Sequence, residues 1–379
     1  MQSLKFLRAG DIGAASWNAC ANPGREALPH PFTRYEFFEA LEESGSASAE
    51  AGWLPAHILL DNAKGLLPAY VKNHSRGEYV FDHGWAEAFE RAGGSYYPKL
   101  QCSVPFTPVT GQRLLLAANA GDAERQALLQ TAIEQTTKVN ASSVHITFMT
   151  EAEWRAAEAQ GFLLRNDSQF HWQNKGYTGF DQFLGELSSA KRKNLKKERA
   201  AIRDEGIEFD WLTGADISEA HWDTFFDFYM DTGGRKWGTP YLTREFFSRL
   251  SAGMGEQVLL IFARRGSKYI AGALNLFGEG VLFGRNWGCN EYVPFLHFET
   301  CYYQAIDFAI AKGLSRVEAG AQGSHKLLRG YTPVQTYSAH YIVHPGLRRA
   351  VADYLERERK AVAENIEALA EHAPFKKGT

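Results

Sequence analysis

Short runs of β-branched and aromatic residues alternate with turns rich in Asn, Lys, Gly and Ser in two stretches of this chain. In the first, HILL (57–60), LLPAYVK (66–72) and EYVFDHGW (78–85) read as three strands of an antiparallel meander. In the second, QVLLIFA, YIAGALNLF and GVLFGRNWG, within 257–288, give the same reading. After each meander the period changes from two to that of a helix. DAERQALLQTAIEQTTK (122–138) leads to the strand SSVHITFM, and FLHFETCYYQAIDFAIAKG (295–313) leads to SRVEAG. In the later helix Phe298, Cys301, Tyr302, Ala305, Ile306, Ala309 and Ile310 recur at spacings of three and four, and Gly313 ends it. Meander, helix, strand, polar element and strand thus occur twice, a duplication at about a hundred residues, far longer than a solenoid repeat.

Between the copies lies FDQFLGELSSAKRKNLKKERAAIRDEGIEFDWL (180–212), a predicted helix from Ser188 or Ser189 to Gly206 followed by a strand. The boundary falls near 170–180, which gives an N-terminal domain over 1–175 and a C-terminal domain over 176–379. The last helix, 346–372, carries Leu347, Val351, Tyr354, Leu355, Val362, Ile366 and Leu369 along one face, so it docks on a core or on a partner chain, the latter making a homodimer.

Composition narrows the function. The chain has 379 residues, suited to two cores, and its net charge of −3 excludes a wholesale nucleic-acid-binding composition, so any basic function is local. Cys20, Cys102, Cys289 and Cys301 lie far apart without a CxxC pair, which fits reduced thiols in a cytoplasm. MQSLKFLRAGDIGAASW lacks the apolar core of a signal peptide, and no run approaches about 18 apolar residues, so a cytoplasmic protein without a membrane span is expected.

Four stretches carry a family resemblance: YYPKLQCSVPFTPVTGQRLL (96–115), QFHWQNKGYTGFDQFLGELSSAKRKNLKKERA (169–200), GRNWGCNEYVPFLHFETCYYQAIDFAI (284–310) and VEAGAQGSHKLLRGYTP (317–333). In them the chain resembles the bacterial FemAB-like proteins of peptidoglycan biosynthesis or recognition, with two copies of the GNAT acyltransferase fold. The resemblance implies an α+β fold with mixed, mostly antiparallel sheets and flanking helices, in two tandem GNAT-like domains. It further implies N-acyl transfer, in which an amine attacks an activated acyl ester. The donor would be an aminoacyl-tRNA and the acceptor a peptidoglycan precursor, with no resident cofactor. The chain departs from acyl-CoA enzymes of this fold, whose glycine-rich loop holds a pyrophosphate on backbone amides. Here Pro294, Phe295 and Leu296 stand in that place. The first copy offers VPFTPVTGQR, in which prolines remove donors.

The second copy is expected to hold the active site. Glu318 ends its last strand, and the glycine turn at 320–323 projects Gln322, Ser324, His325 and Lys326 into the cleft of a splayed sheet. His325 suits removal of a proton from the attacking amine, with Glu318 orienting it or acting itself. Lys326 and Arg329, three apart, suit a phosphate or carboxylate, and Tyr331 a leaving ribose oxygen. Arg285 and Trp287 in GRNWG offer a cation and a stacking surface where a backbone N–H would hold an oxyanion. His297, Glu299 and Tyr302 line the start of the long helix as substrate contacts. Without HExxH or a third ligand, His297 and Glu299 do not make a metal site. Arg235 and Trp237 lie on a glycine-flanked loop able to close over a ligand. Lys191, Arg192, Lys193, Lys196 and Lys197 form either a solvated charged face or a phosphate platform for tRNA. Two alternatives stay open: a non-catalytic module that recognises a glycan or peptidoglycan precursor, and an N-acyltransferase fed by an acyl thioester of CoA or a carrier.

Overall fold

The computed structural model describes residues 7–61, 63–236, 240–320 and 324–376, without the side chains of Arg235, Lys236 and Ser324. In chain order the strands that build the main sheets are β1 (Trp53–Pro55), β2 (Tyr70–Lys72), β3 (Lys99–Cys102), β4 (Ser143–Met149), β5 (Leu163–Gln173), β6 (Ile207–Thr213), β7 (Val258–Arg265), β8 (Lys268–Gly278), β9 (Val281–Cys289), β10 (Arg316–Glu318) and β11 (Thr332–Ile342). The helices used below are α1 (Asp122–Lys138), α2 (Ser189–Asp204), α3 (Glu219–Lys236), α4 (Arg244–Met254), α5 and α6 (Pro345–Glu371). Helix α5 consists of Leu296–Phe298, a π turn over Glu299–Tyr303, and Gln304–Ala311.

The chain forms two compact units, Met1–Asp167 with Gln335–Glu364, and Ser168–Val334 with Asn365–Thr379. A single cut at 175 therefore misassigns 335–364, because strand β11 and most of α6 pack with the first unit. In that unit the strand order is β1-β2-β3-β4-β11, antiparallel except for the β3/β4 pair. Leu100, Cys102, Val144, Ile146 and Ala339 pack one face of the sheet against Leu128, Leu129 and Ala132 of α1. On the other face Leu347, Val351 and Leu355 of α6 close over Trp85 and Tyr96, so the first half of the last helix's apolar stripe finds a core in its own chain, while Tyr354 stays exposed.

Two expected strands of this unit differ. LLPAYVK is broken at Pro68, which has no N–H to give a ladder, and forms Gly65–Leu67 and β2. EYVFDHGW is not a strand: the helix His83–Arg91 starts inside it, and Glu78 and Asp82 turn inward to bind Lys99, at 2.7 and 2.5 Å. The third meander strand is instead β3, which brings that lysine into the sheet.

In the second unit the order is β5-β10-β9-β8-β7-β6, antiparallel except for β9/β10. Helix α5 covers one face, where Tyr302, Tyr303, Ala305, Ile306 and Ala309 meet Leu259, Ile261, Leu282 and Val317. Helix α3 lies so close to β9 that a Cβ on Gly288 would stand 2.2 Å from the carbonyl oxygen of Phe228. Four antiparallel strands, a helix and a parallel fifth strand make up the expected acyltransferase layout.

Candidate functional site

The parallel pairing of β9 with β10 runs through Val281/Arg316, Leu282/Val317 and Phe283/Glu318 and then stops, while β9 continues to Cys289. Along its other edge β9 has a bulge: Gly284 faces Asn275 and Asn286 faces Leu274, so Arg285 is the extra residue of the bulge. The two strands part in a wedge, a cleft of about 80 Å³ among Asn275, Arg285, Trp287, His297, Cys301 and Tyr302. The π turn of α5 places the last two there, and π turns recur at functional sites.

The first unit has the corresponding wedge beyond Cys102/Ile146, but its own chain fills it. Gly111 N–H donates to Phe148 O at 3.0 Å and Arg113 Nε to Thr147 O at 2.9 Å, with Val104, Phe106 and Val109 buried alongside. A larger hollow in this unit, about 580 Å³, is lined by Asn22, Arg25, Glu26, Pro29, Arg34 and Ala117 and holds no histidine.

On the α5 side of the wedge, Tyr302 OH and His325 Nε2 are 2.9 Å apart. Burial, then the charges of Arg329 and Lys326, lower the His325 pKa, so the imidazole is neutral near pH 7 and able to accept a proton. Burial raises the Tyr302 hydroxyl above its ordinary value, which keeps it a neutral donor. Arg329 lies 3.4 Å from the centre of the Phe298 ring, donates to His325 O at 2.8 Å and grips both oxygens of Glu198 at 2.8 and 2.9 Å. Tyr303 OH donates to the same carboxylate. Lys326 is buried, its ammonium bonded to Gly320 O at 2.7 Å, and burial lowers its pKa to about 8. Lys326 and Arg329 thus hold the Ser324–Arg329 turn in place instead of facing solvent. Trp287 sits edge-on to His297, with ring centres 5.2 Å apart.

Other expected residues are placed differently. Glu318 does not orient His325: among the described residues no hydrogen bond joins them. Its Oε1 accepts from Arg316 Nε at 2.9 Å, and burial ahead of Arg316 raises its pKa to about 7. Tyr331 is fully buried beside Tyr302, its hydroxyl without a hydrogen-bond partner among the described residues. Glu299 is also buried, held by Arg199 and Gln304 at 2.9 Å each, and serves the packing of α2 on α5. In α2, Leu195 and Ile202 are buried and Arg199 turns inward to Glu299 and Asp307. Lys193, Lys196 and Lys197 are exposed, and Lys191 and Arg192 half-buried. Gln322 and Trp237 lie outside the described residues, as does the side chain of Arg235. Glu198 and His171 were not singled out in the sequence, since nothing local marks a glutamate in a lysine-rich helix or a histidine in a strand as a partner of a distant loop.

Comparison with known proteins extends this picture. A family model described as FemAB-like, peptidoglycan biosynthesis/recognition, matches residues 8–377. The fold is shared with a crystal structure of FemX, at TM-score 0.54 and 12% identity over 90% of this chain and 98% of that one. It is shared with L-PGS from Bacillus licheniformis at 0.53 and 11%, over 87% of this chain and 98% of that one. A third is the C-terminal domain of a putative lysylphosphatidylglycerol synthetase from Agrobacterium fabrum, at 0.51 and 7%, over 91% of this chain and 96% of that one. No curated protein matches the sequence. No helix among the described residues is long and apolar enough to cross a membrane.

Proposed function

The chain belongs to the FemAB-like family, and from that premise we propose that it is a cytoplasmic N-acyltransferase that moves an aminoacyl group from a tRNA ester to an amine of a peptidoglycan precursor. The observation that carries this reading is the pairing of a parted strand edge with a neutral base: the wedge beyond Phe283/Glu318 opens beside Tyr302 and His325. The acyl carbonyl enters where β9 and β10 no longer bond each other. Arg285, the extra residue of the bulge, supplies positive charge to the developing oxyanion. The amine attacks as Tyr302 takes its proton and passes its own to His325, which burial and two cations hold ready to accept one. Trp287 and His297 supply the aromatic wall.

The entry to α5 argues against CoA as donor. Pro294 has no N–H, and Phe295 stands in the left-handed region at φ 68°, so this helix does not begin with the row of amides a pyrophosphate needs. A tRNA ester needs no such row, and its phosphates can lie on the exposed Lys193, Lys196 and Lys197.

Binding of charged tRNA, uncharged tRNA and acetyl-CoA to the purified protein, side by side at two salt concentrations, tests the reading. Preference for charged tRNA, weakened by salt, is expected and identifies the amino acid. Binding of acetyl-CoA alone would move the donor to a thioester. Binding of a precursor with no donor at all would make the protein a recognition module.

A further inference from the structure

Glu318 stands where β9 and β10 part, yet its carboxyl group is turned away from Tyr302 and His325. Alternation along β10 puts Val317 in the core beneath α5 and Glu318 on the opposite face. There His171, its register partner on β5, brings Nε2 to 3.6 Å from Oε2. Both atoms are buried and have no hydrogen-bond partner among the described residues. At 3.6 Å they are too far apart for a hydrogen bond and too close for a bridging water. A proton held by one of them, with a small closing movement, satisfies both.

The charges facing this pair are cations: Arg316 on β10 and Arg285 on β9 act on Glu318, and Arg316 and Lys326 act on His171. Burial outweighs Arg316 and Arg285 and lifts Glu318 to about 7, while burial and the cations together push His171 down to about 3. His171 is therefore neutral at neutral pH, the contact is not an ion pair, and the proton belongs to the carboxyl group. A base lowered on one face of the wedge and an acid raised on the other is the division of labour that acid–base catalysis requires.

We infer that Glu318 is the acid that protonates the leaving oxygen during acyl transfer, and that His171 is the positioning residue that keeps this acid loaded and oriented. The inference rests on the acyl-transfer reading above. The amine nitrogen bonds to the acyl carbon and loses its proton through Tyr302 to His325. The bond from the acyl carbon to the donor oxygen breaks, and that oxygen takes the proton of Glu318. The carboxylate left behind is held by Arg316. His325 then releases its proton to solvent and Glu318 regains one, so the cycle closes without net gain or loss.

The test uses matched donors carrying one amino acid, as an oxyester of adenosine and as a thioester of N-acetylcysteamine, with a precursor pentapeptide as amine. A thiolate leaves without help, whereas an alkoxide does not. Glu318→Gln lowers oxyester transfer by about 100-fold or more and thioester transfer by less than about 10-fold. His171→Phe gives the same pattern, and His171→Gln, which keeps an acceptor, restores most of the oxyester rate. Independently of any substrate, the ¹⁵N signal of His171 Nε2 in the full chain moves with a midpoint near pH 7, and this movement vanishes in Glu318→Gln. Equal losses on both donors, or a His171 signal that ignores Glu318, overturn the inference and leave acyl transfer standing. No transfer from either donor by the unmutated protein overturns the acyl-transfer reading and this role with it.

Discussion

At the scale of single residues, the proposed function assigns to His325 and Tyr302 the proton that must leave the amine. His325→Ala is expected to lower kcat by about 100- to 1,000-fold and Tyr302→Phe by about 10- to 100-fold, with Tm changed little, in a steady-state assay paired with thermal melts. The pH profile has two limbs. The base must be free, so kcat/KM rises as pH climbs through the lowered pKa of His325, below its ordinary value of 6.5. The acid must be loaded, so kcat/KM for an oxyester falls as pH climbs through about 7. A bell is expected, with its acid limb below pH 6.5, and a profile that does not fall between pH 6 and 8 would contradict the assignment of Glu318. Part of this was legible in the sequence: His325 and Glu318 stand out because polar groups follow a buried strand. Their separation was not, because alternation sends Glu318 to the far face, where its partner His171 comes from a distant strand. Tyr331 misled for a related reason, since a phenol in a polar loop can still be swallowed by the core.

At the scale of elements, α2 does two jobs on two faces. Its inner face presents Glu198 to Arg329 and Tyr303, which pins the loop that carries His325. Breaking that pair leaves a buried guanidinium uncompensated, so Glu198→Ala should cost about 2–4 kcal/mol by denaturant unfolding and lower kcat as well. Glu198→Gln should recover part of both. Its outer face presents Lys193, Lys196 and Lys197. Replacing all three with Gln should reduce the salt slope of tRNA binding by about 2–3, without loss of stability. The sequence placed α1, α2 and the meander β7–β9 closely, because their periods are regular and their ends are marked by Gly or by capping residues. It misread 78–85, where the apolar positions belong to a turn and a helix start and the acidic ones to a buried ion cluster.

At the scale of the molecule, the duplication has been resolved unevenly. The first unit has closed its wedge with its own Val104–Arg113 segment and kept a buried polar face around Lys99, Glu78 and Asp82. Lys72 belongs to that face, fully buried 3.5 Å over Trp53, and burial lowers its pKa to about 6. Between about 6 and its ordinary 10.5, the unfolded chain binds more protons at this position than the folded one. Stability contributed there therefore rises with pH across that window. Lys72→Met should remove this slope and raise the unfolding free energy at pH 7 by about 1–3 kcal/mol, as replacement of a buried ionisable group by an apolar one often does. A loss of stability at pH 7 would show that Lys72 is held as a cation by Glu78. The central claim concerns the second unit, and one measurement reaches it most directly: transfer of labelled amino acid from a pool of charged tRNA to a precursor pentapeptide, by the unmutated chain and by His325→Ala. The account predicts amide-linked product from the first and at most about one per cent of that rate from the second, both folded. Equal rates would remove His325 from the chemistry, and no product from either would contradict the acyltransferase itself.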